Sequence, residues 1–176
     1  RTIMVDTCVG NDKERENPAW NQLQTIFLDD MNKAGYKLDA VDNVLCTHLH
    51  VDHVGWNTML VSDSWVPTFP NARYWVSATD LEFFRRPENL APFPTTQRCV
   101  LPLEESGVLN VMEGEHAITS ELTTMPSPGH TPGHMCIWVS SQGQRALILG
   151  DIAHNMVQLH ETDWASRADI DPELAS

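Results

Sequence analysis

The spacing of apolar residues first predicts a helix near the start of the chain. From Asn17 to Gly35, large apolar side chains recur at intervals of three and four residues, which places them on one helical face. Asn17 suits the N-cap, Pro18 suits the first helical position, and Gly35 can adopt the left-handed conformation that ends a helix. We interpret the apolar face as core rather than as a cofactor surface. Its members are Trp20, Leu23, Phe27, Met31 and Ala34.

Short apolar or alternating segments predict strands further along the chain. Ser77 is expected to begin a short helix. The stretch from Arg85 to Cys99 holds three prolines and little periodicity, so it is expected to be an irregular surface loop. A helix followed by loop-connected strands predicts an α/β sandwich with its chemistry at one edge of the sheets. The predicted strands are Asn43 to Cys46, Ala72 to Val76, Val108 to Met112, Glu121 to Met125, His134 to Val139 and Arg145 to Leu149, the last two joined by a turn at residues 140–143.

Four side chains that can bind a metal follow the first of these strands within six residues: His48, His50, Asp52 and His53. If the chain turns after the apolar run Val44 to Cys46, the first two histidines can point the same way while the other two groups follow on a bend. Imidazole and carboxylate ligands suit zinc, manganese, iron or cobalt. The alternative is a polar loop whose histidines face solvent, but chance rarely places these residue types so densely. Four groups exceed what one open catalytic zinc takes from so short a stretch, so a second ion is expected.

Composition narrows the set of partners. The chain has 176 residues, of which 41% are hydrophobic, and this is enough for one domain with a buried core. A formal net charge of −13 with only 11 Lys and Arg residues weighs against nucleic acid as a partner. No apolar stretch approaches the roughly 18 residues of a membrane span, so we expect a small-molecule substrate and no membrane partner. The four cysteines form no C-x-x-C pair and are expected to be reduced, and the cytoplasm is favoured as the compartment.

Three ordered motifs make the sequence similar to the metallo-β-lactamase-fold hydrolases. Residues 47–53 (Thr-His-Leu-His-Val-Asp-His) resemble that family's T-H-x-H-x-D-H signature. Residues 127–134 resemble its P-G-H-T-P-G-H loop, and residues 147–151 resemble its apolar strand that ends in G-D. The opening Ile3 to Gly10 is similar to its early V-D-T-G strand and turn. The resemblance implies an αββα sandwich of the α/β (α+β) class.

The resemblance also implies a dinuclear metal site, with zinc as the favoured metal. Asp151 would bridge the two ions, and a metal-bound hydroxide would cleave a lactone, an ester or a phosphotriester. Asp52 would additionally carry a proton from the attacking water to the leaving group. His154 would contact the substrate, unless it only bonds to backbone in its turn. The expected ligands are His48, His50 and His130 for one ion, Asp52 and His53 for the second, and Asp151 for both.

Several alternatives stay open. The lactonase and organophosphate hydrolase branch is the most similar, but a β-lactamase or a glyoxalase-type thioesterase would use the same site. Asp6 either orients a ligand histidine or serves a strand-end turn, and His134 is expected to be structural. The aromatic side chains between Trp56 and Phe69 either line a substrate pocket or, as we favour, pack in the core.

The chain also departs from the family pattern in ways that shape our expectations. The strands that lead into V-D-T-G and a final histidine ligand after Asp151 are missing from the 176 residues. We therefore expect a fragment of a longer domain, incomplete at both ends, with an open sheet edge. A catalytically silent metal-binding module is then the rival of a different class. The oligomeric state is left open, a homodimer included.

Overall fold

A computed structural model of the chain describes residues 1–90 and 94–176. Over these ranges it shows two sheets packed face to face, and none of the helices is both long and apolar enough to cross a membrane. The helices are α1 Phe27–Lys33, α2 Ala78–Phe84, α3 Pro87–Leu90, α4 Thr95–Cys99, α5 Leu101–Glu105 and α6 Pro172–Ala175. The strands are β1 Ile3–Val5, β2 Asn43–Leu45, β3 Thr58–Val61, β4 Ser64–Pro67, β5 Arg73–Ser77, β6 Leu109–Met112, β7 His116–Ala117, β8 Leu122–Pro126, β9 Met135–Ser141 and β10 Gln144–Ile148.

The first sheet has the strand order β1-β2-β5-β6, and its strand pairs are parallel. Parallel sheets bury both faces, which is why the centres of β2 and β5 carry consecutive rather than alternating apolar residues. On one face, Val44 and Tyr74 pack in a cluster with Leu81 of α2. On the other face, Leu45 and Trp75 pack in a second cluster that includes residues of the second sheet.

The second sheet is antiparallel, with the order β10-β9-β8-β7. Ile137 of β9 packs against Leu45 and Met112, and these contacts join the two sheets. The turn between β9 and β10 is formed by Gln142 and Gly143, with φ values of 51° and 76°. Two consecutive positive φ angles are the requirement of a type I′ hairpin turn. The α/β sandwich predicted from the sequence is therefore confirmed, and all six predicted strands are present with ends shifted by at most two residues.

The helix predicted from Asn17 to Gly35 is wrong over its first half. Only Phe27–Lys33 is α-helical, while Gly35 ends it with a φ of 91°, as expected. The preceding segment folds back on residues 11–13 instead: Gln22, with a φ of 49°, donates its backbone N–H to the Lys13 carbonyl at 2.8 Å. These hydrogen bonds between separate parts of the chain satisfy backbone groups that a helix would otherwise pair. The apolar periodicity therefore does not produce a helix there.

Two other segments also differ from expectation. The stretch from Arg85 to Cys99, expected to be irregular, contains the short helices α3 and α4, and its residues 91–93 lie outside the described ranges. The segment before Pro70 contains an unpredicted hairpin, β3 and β4, whose turn is Ser62-Asp63 with φ values of 48° and 64°. Neither residue is glycine, so the usual Asn-Gly signal for this turn is missing from the sequence. The helix expected from Ser77 is confirmed, with Ser77 as its N-cap.

Candidate metal centre

The first ligand loop, residues 46–53, leaves the end of β2 and is held by Asp6. Asp6 accepts hydrogen bonds from the backbone N–H and the hydroxyl of Thr47, each at 2.8 Å. Its Oδ2 also lies 2.9 Å from Nδ1 of His53. Asp6 has a φ of 54°, a left-handed conformation that aspartate tolerates better than most residues. Asp6 therefore both serves the turn after β1 and contacts a predicted metal ligand.

The second ligand loop, residues 127–134, lies between β8 and β9 and places His130 in the interior, 1% exposed. The loop packs against the start of α2 through the buried carboxylate of Asp80. One oxygen of Asp80 accepts from Gly133 N at 2.6 Å, and the other accepts from the Thr131 hydroxyl at 2.9 Å and from Leu49 N at 3.1 Å. A Cβ on Gly133 would lie 2.4 Å from Asp80 N, so this approach requires glycine. Asp80 thus connects both ligand loops to one helix.

The third ligand segment follows β10 and begins with Gly150 and Asp151. The backbone N–H of Asp151 donates to Nε2 of His134 at 3.0 Å, and Nδ1 of His134 lies 2.8 Å from the Ser127 hydroxyl. Gly150 has a φ of 57°, and a Cβ there would lie 2.5 Å from the same Nε2. Because both ring nitrogens of His134 are occupied, this residue positions Asp151, in agreement with the structural role expected for it.

The three loops bring most of the predicted site residues together. Nδ1 of His50 lies 2.8 Å from Nε2 of His130. Oδ2 of Asp151 lies 3.4 Å from His53 Nε2, 3.5 Å from His130 Nε2 and 3.3 Å from His154 Nε2. Three groups have ligand atoms within 4.8 Å of one another: His48, His50 and His130; His48, His53 and Asp151; and His130, Asp151 and His154.

The environment of His48 tests whether these residues fit a metal ion. The ring is buried, and its Nδ1 lies 3.0 Å from the Thr47 hydroxyl. Its Nε2 is buried without a hydrogen-bond partner in the described part of the chain. A buried polar atom of this kind costs free energy unless something satisfies it. Burial and the neighbouring His53 lower the pKa of His48, which keeps the ring neutral and able to bind a cation. The residues present therefore fit a divalent metal.

The electrostatics of the cluster differ between its two halves. Burial, followed by the neighbouring His130, lowers the pKa of His50 to about 3. Burial acts in the same direction on His53, but hydrogen bonds to Asp151 and Asp6 outweigh it and raise the pKa of His53. Burial of Asp151 is likewise outweighed by its hydrogen bond to His53, which lowers the pKa of this carboxylate. His48 and His50 thus offer neutral nitrogens. Around His53, the carboxylates of Asp6 and Asp151 concentrate negative charge that favours a cation.

Two predicted site residues, Asp52 and His154, differ in how close they lie to this cluster. Asp52 is half-exposed, with Oδ2 3.8 Å from His53 Nε2, and it is not part of the three close groups. Its roles as ligand and proton carrier stay predictions. The ring of His154 lies among the ligand atoms, while its backbone N–H donates to the side chain of Gln158 at 2.7 Å. The contact within the turn therefore uses the backbone of His154 and not its imidazole. The imidazole is left available to a substrate or an ion.

Comparison with known families identifies the fold. The sequence profile of the metallo-beta-lactamase superfamily matches residues 1–170. The chain belongs to this superfamily. The three superfamily motifs supply the loops that meet at the cluster.

The curated relatives are lactonases. An N-acyl homoserine lactonase from Bacillus thuringiensis is 26% identical over 145 residues, a stretch that covers 82% of this chain and 51% of the relative. An N-acyl homoserine lactonase from Bacillus cereus is 23% identical over the same length. The chain thus spans about half the length of the curated relatives it matches.

Solved structures of the superfamily show the same fold. A hydrolase of the beta-lactamase superfamily, AbOPH, superposes with a TM-score of 0.78 at 24% identity, covering 98% of this chain and 60% of that one. AidC, a dizinc quorum-quenching lactonase in complex with a product, gives a TM-score of 0.78 at 22% identity and the same coverage. At these identities the likeness establishes the fold alone.

The superfamily motifs miss two carboxylates that support the centre. Asp80 connects the ligand loops, as described above, and Asp169 lies with Oδ1 2.8 Å from Nδ1 of His130. Their side-chain partners, Thr131 and His130, are 51 and 39 residues away in sequence, so no local pattern points to them. The signal in the sequence is at most indirect, since Asp80 follows an N-capping serine in a helix that the pattern does predict.

A cavity of about 320 Å³ opens beside His50, and Phe83, Phe84 and Ile170 are among its lining residues. Of the aromatic residues predicted either to line a pocket or to pack in the core, Trp56 and Phe69 adopt the second arrangement, whereas Trp65 on β4 is only partly buried. Phe69 is fully buried in the core, and Trp56, 6% exposed, stacks on Phe27 with ring centres 5.9 Å apart. The apolar wall beside the centre is therefore supplied by α2 and by the segment before α6.

Proposed function

We propose that this chain carries the dinuclear metal site of a hydrolase that opens lactones, with N-acyl homoserine lactones as the first substrates to test. The observation that carries the proposal is the meeting of five histidines and one aspartate from three separate loops, with an unsatisfied buried nitrogen among them. The lactonase relatives support the choice of substrate class. The convergent residues are His48, His50, His53, His130, Asp151 and His154.

The donor set indicates how two ions would be held. His48, His50 and His130 would bind one, His53 and Asp52 would bind part of the other, and Asp151 would contact both. Imidazole nitrogens with a shared carboxylate suit zinc, among other divalent transition metals. When bound, such ions supply Lewis acidity and bring water close to ionisation at neutral pH.

The remaining chemistry belongs to side chains around the ligands. The half-exposed carboxylate of Asp52 can accept a proton from the attacking water and pass it to the leaving oxygen. The His154 ring, with Nε2 3.3 Å from Oδ2 of Asp151, would donate a hydrogen bond to a substrate oxygen. The apolar cavity beside His50 would hold the acyl chain of the lactone, since it is lined mainly by apolar side chains and is large enough for a small ligand.

Metal analysis combined with a substrate panel tests the proposal. The purified protein is loaded with zinc, its zinc content is measured, and an N-acyl homoserine lactone, an aryl ester, a phosphotriester and a β-lactam are offered in turn. We expect zinc binding and fastest turnover of the lactone. His130→Ala should lose one ion and nearly all activity, whereas His116→Ala, on β7 and packed against Trp75, should change neither.

Each outcome has a distinct meaning. Preference for the aryl ester, the phosphotriester or the β-lactam would support a hydrolase but would assign it a different substrate class. Zinc binding without turnover of any substrate would support a silent metal-binding module instead. Full zinc content and unchanged turnover in His130→Ala would overturn the assignment of that ligand.

A further inference from the structure

Residues 166–171, which we name the strap, lie directly against the loop that carries His130. Two backbone hydrogen bonds attach the strap: Ile170 N donates to the His130 carbonyl at 3.1 Å, and Asp171 N donates to the Gly129 carbonyl at 3.0 Å. A Cβ on Gly129 would lie 2.6 Å from the backbone of Ala175, so the chain beyond the strap also approaches this loop closely. The strap is thus fixed to the backbone carbonyls of a predicted ligand and of the residue before it.

The strap contributes one charged side chain to the interior. The Asp169 side chain is only 4% exposed, and its Oδ1 lies 2.8 Å from His130 Nδ1. Its other oxygen accepts from the Ser166 backbone N–H at 2.5 Å. In the part of the chain that the structure describes, His130 is the one basic side chain within salt-bridge distance of Asp169. A carboxylate buried this deeply therefore has a single side-chain partner, and that partner is a proposed ligand.

The geometry of the pair determines which nitrogen of His130 is free. A carboxylate accepts hydrogen bonds, so the proton of the neutral ring resides on Nδ1. Nε2 then carries the lone pair, and this is the atom that lies 2.8 Å from His50 Nδ1 and 3.5 Å from Asp151 Oδ2. A carboxylate behind a ligand histidine fixes the tautomer and the ring orientation and makes the free nitrogen more basic.

The two residues that flank Asp169 in the strap line the apolar cavity. Ala168 and Ile170 line the apolar cavity beside His50, while Asp169 between them contacts His130. The strap therefore alternates between the proposed substrate cavity and the proposed metal centre. A change in its position would alter the cavity wall and the support of His130 together.

We propose that Asp169 is a positioning residue that sets the tautomer and orientation of His130, and that the strap couples the apolar cavity to the metal centre. The second half of this inference rests on the proposed function, because it requires a metal at His130. The first half concerns a contact between two residues of this chain and can be measured without any metal.

Zinc titration against a competing chromophoric chelator tests the coupling. Asp169→Ala should weaken zinc binding about 10- to 100-fold, the range found when such supporting carboxylates are removed. Asp169→Asn keeps an acceptor oxygen and should recover part of the loss. Asp171→Ala is the matched control: its carboxylate caps α6 by accepting from Leu174 N, so this variant weakens the strap's surroundings without touching a ligand. Its zinc affinity should stay within about twofold of the wild type.

Nitrogen NMR of the histidine side chains, recorded without metal at pH 8, tests the positioning. The wild type and Asp171→Ala should show His130 as the Nδ1–H tautomer, and Asp169→Ala should show a mixture of tautomers. Hydrogen exchange should also show that zinc protects the amides of Ile170 and Asp171.

The two proposals fail in different ways. A wild type that binds no zinc refutes the metal centre, while the tautomer of His130 still decides the role of Asp169. A wild type that binds zinc, with Asp169→Ala matching it in both affinity and tautomer, overturns the inference alone. An equal loss of affinity in Asp169→Ala and Asp171→Ala would also overturn it, because the effect would then come from general loosening of the strap.

Discussion

Lys13 is an unusual residue because a charged side chain is almost completely buried, with 1% exposed. Its Nζ donates to the Thr58 carbonyl at 2.9 Å and lies 4.1 Å from the centre of the Trp65 ring. A carbonyl and an aromatic face both favour a cation, but they replace water only in part. Burial, the largest cause, lowers the pKa of Lys13 to about 8.

We predict a pH-dependent contribution of Lys13 to stability. The pKa is about 8 in the folded state and 10.5 as the reference for the unfolded state, so between these values the unfolded chain binds more protons. Stability therefore rises with pH in this window, by up to roughly 3 kcal/mol relative to Lys13→Met. Urea unfolding of both proteins at pH 7 and pH 10 measures the difference. Lys33→Met, at an exposed site, should run parallel to the wild type, and parallel curves for Lys13→Met would contradict the prediction.

Gly55 follows the ligand loop and illustrates a different constraint at the residue scale. A Cβ here would lie 1.9 Å from the carbonyl carbon of Val9, and backbone atoms cannot move aside easily. We expect Gly55→Ala to lower the free energy of unfolding by at least about 3 kcal/mol. Gly107→Ala provides the comparison, since Gly107 has a φ of 70° but open space, and should lose only about 1 kcal/mol. Equal losses in chemical denaturation would show that the close contact is relieved at little cost.

Among the elements, α2 supports the site because it contacts the first two ligand loops through Asp80. Removing this carboxylate in Asp80→Ala leaves Leu49 N and Gly133 N buried without an acceptor, at about 1–3 kcal/mol for each. We expect a total loss of roughly 3 kcal/mol and faster hydrogen exchange at both amides. Glu82→Ala on the exposed side of the same helix should change stability by less than about 0.5 kcal/mol. Unchanged exchange at Leu49 and Gly133 in Asp80→Ala would refute the connecting role.

The elements also show what local sequence can and cannot predict. The six predicted strands are present because each carries its own apolar pattern, as in Val44 and Leu45, which face opposite sides of a buried sheet. The segment before Phe27 has an equally good helical pattern, but Gln22 bonds to Lys13 instead. That competing contact depends on a return of the chain, which periodicity does not record.

The same distinction applies to the site. His48, His50, Asp52 and His53 are close in sequence, so their density alone predicted a metal site. The later candidate ligands, His130 and Asp151, were predicted from motif resemblance, not from spacing. Asp169 belongs to neither category: it is an ordinary acidic residue in a polar segment, and only the fold places it 2.8 Å from His130.

At the scale of the whole molecule, bound metal should act as a major source of stability. The cluster joins loops from both sheets, and each divalent cation would offset part of the net charge of −13. At free zinc 100 times the dissociation constant, one site adds about 2.7 kcal/mol. We therefore expect a chelator to lower the melting temperature by roughly 5–10 °C, as measured by calorimetry. Re-addition of zinc should restore it and magnesium should not, while a melting temperature insensitive to the chelator would argue against the centre.

The outermost strand of the second sheet has a practical consequence. All five residues of β10 are exposed, and within residues 1–90 and 94–176 no other strand pairs with its free side. Such a row of unpaired backbone groups is a template for a strand from another molecule, and Leu147 and Ile148 add apolar surface beside it. We expect the isolated polypeptide to aggregate reversibly as its concentration rises, and Leu147→Lys to raise its solubility in light-scattering measurements. We therefore expect the accessible edge of β10 to limit the concentration at which this protein can be handled.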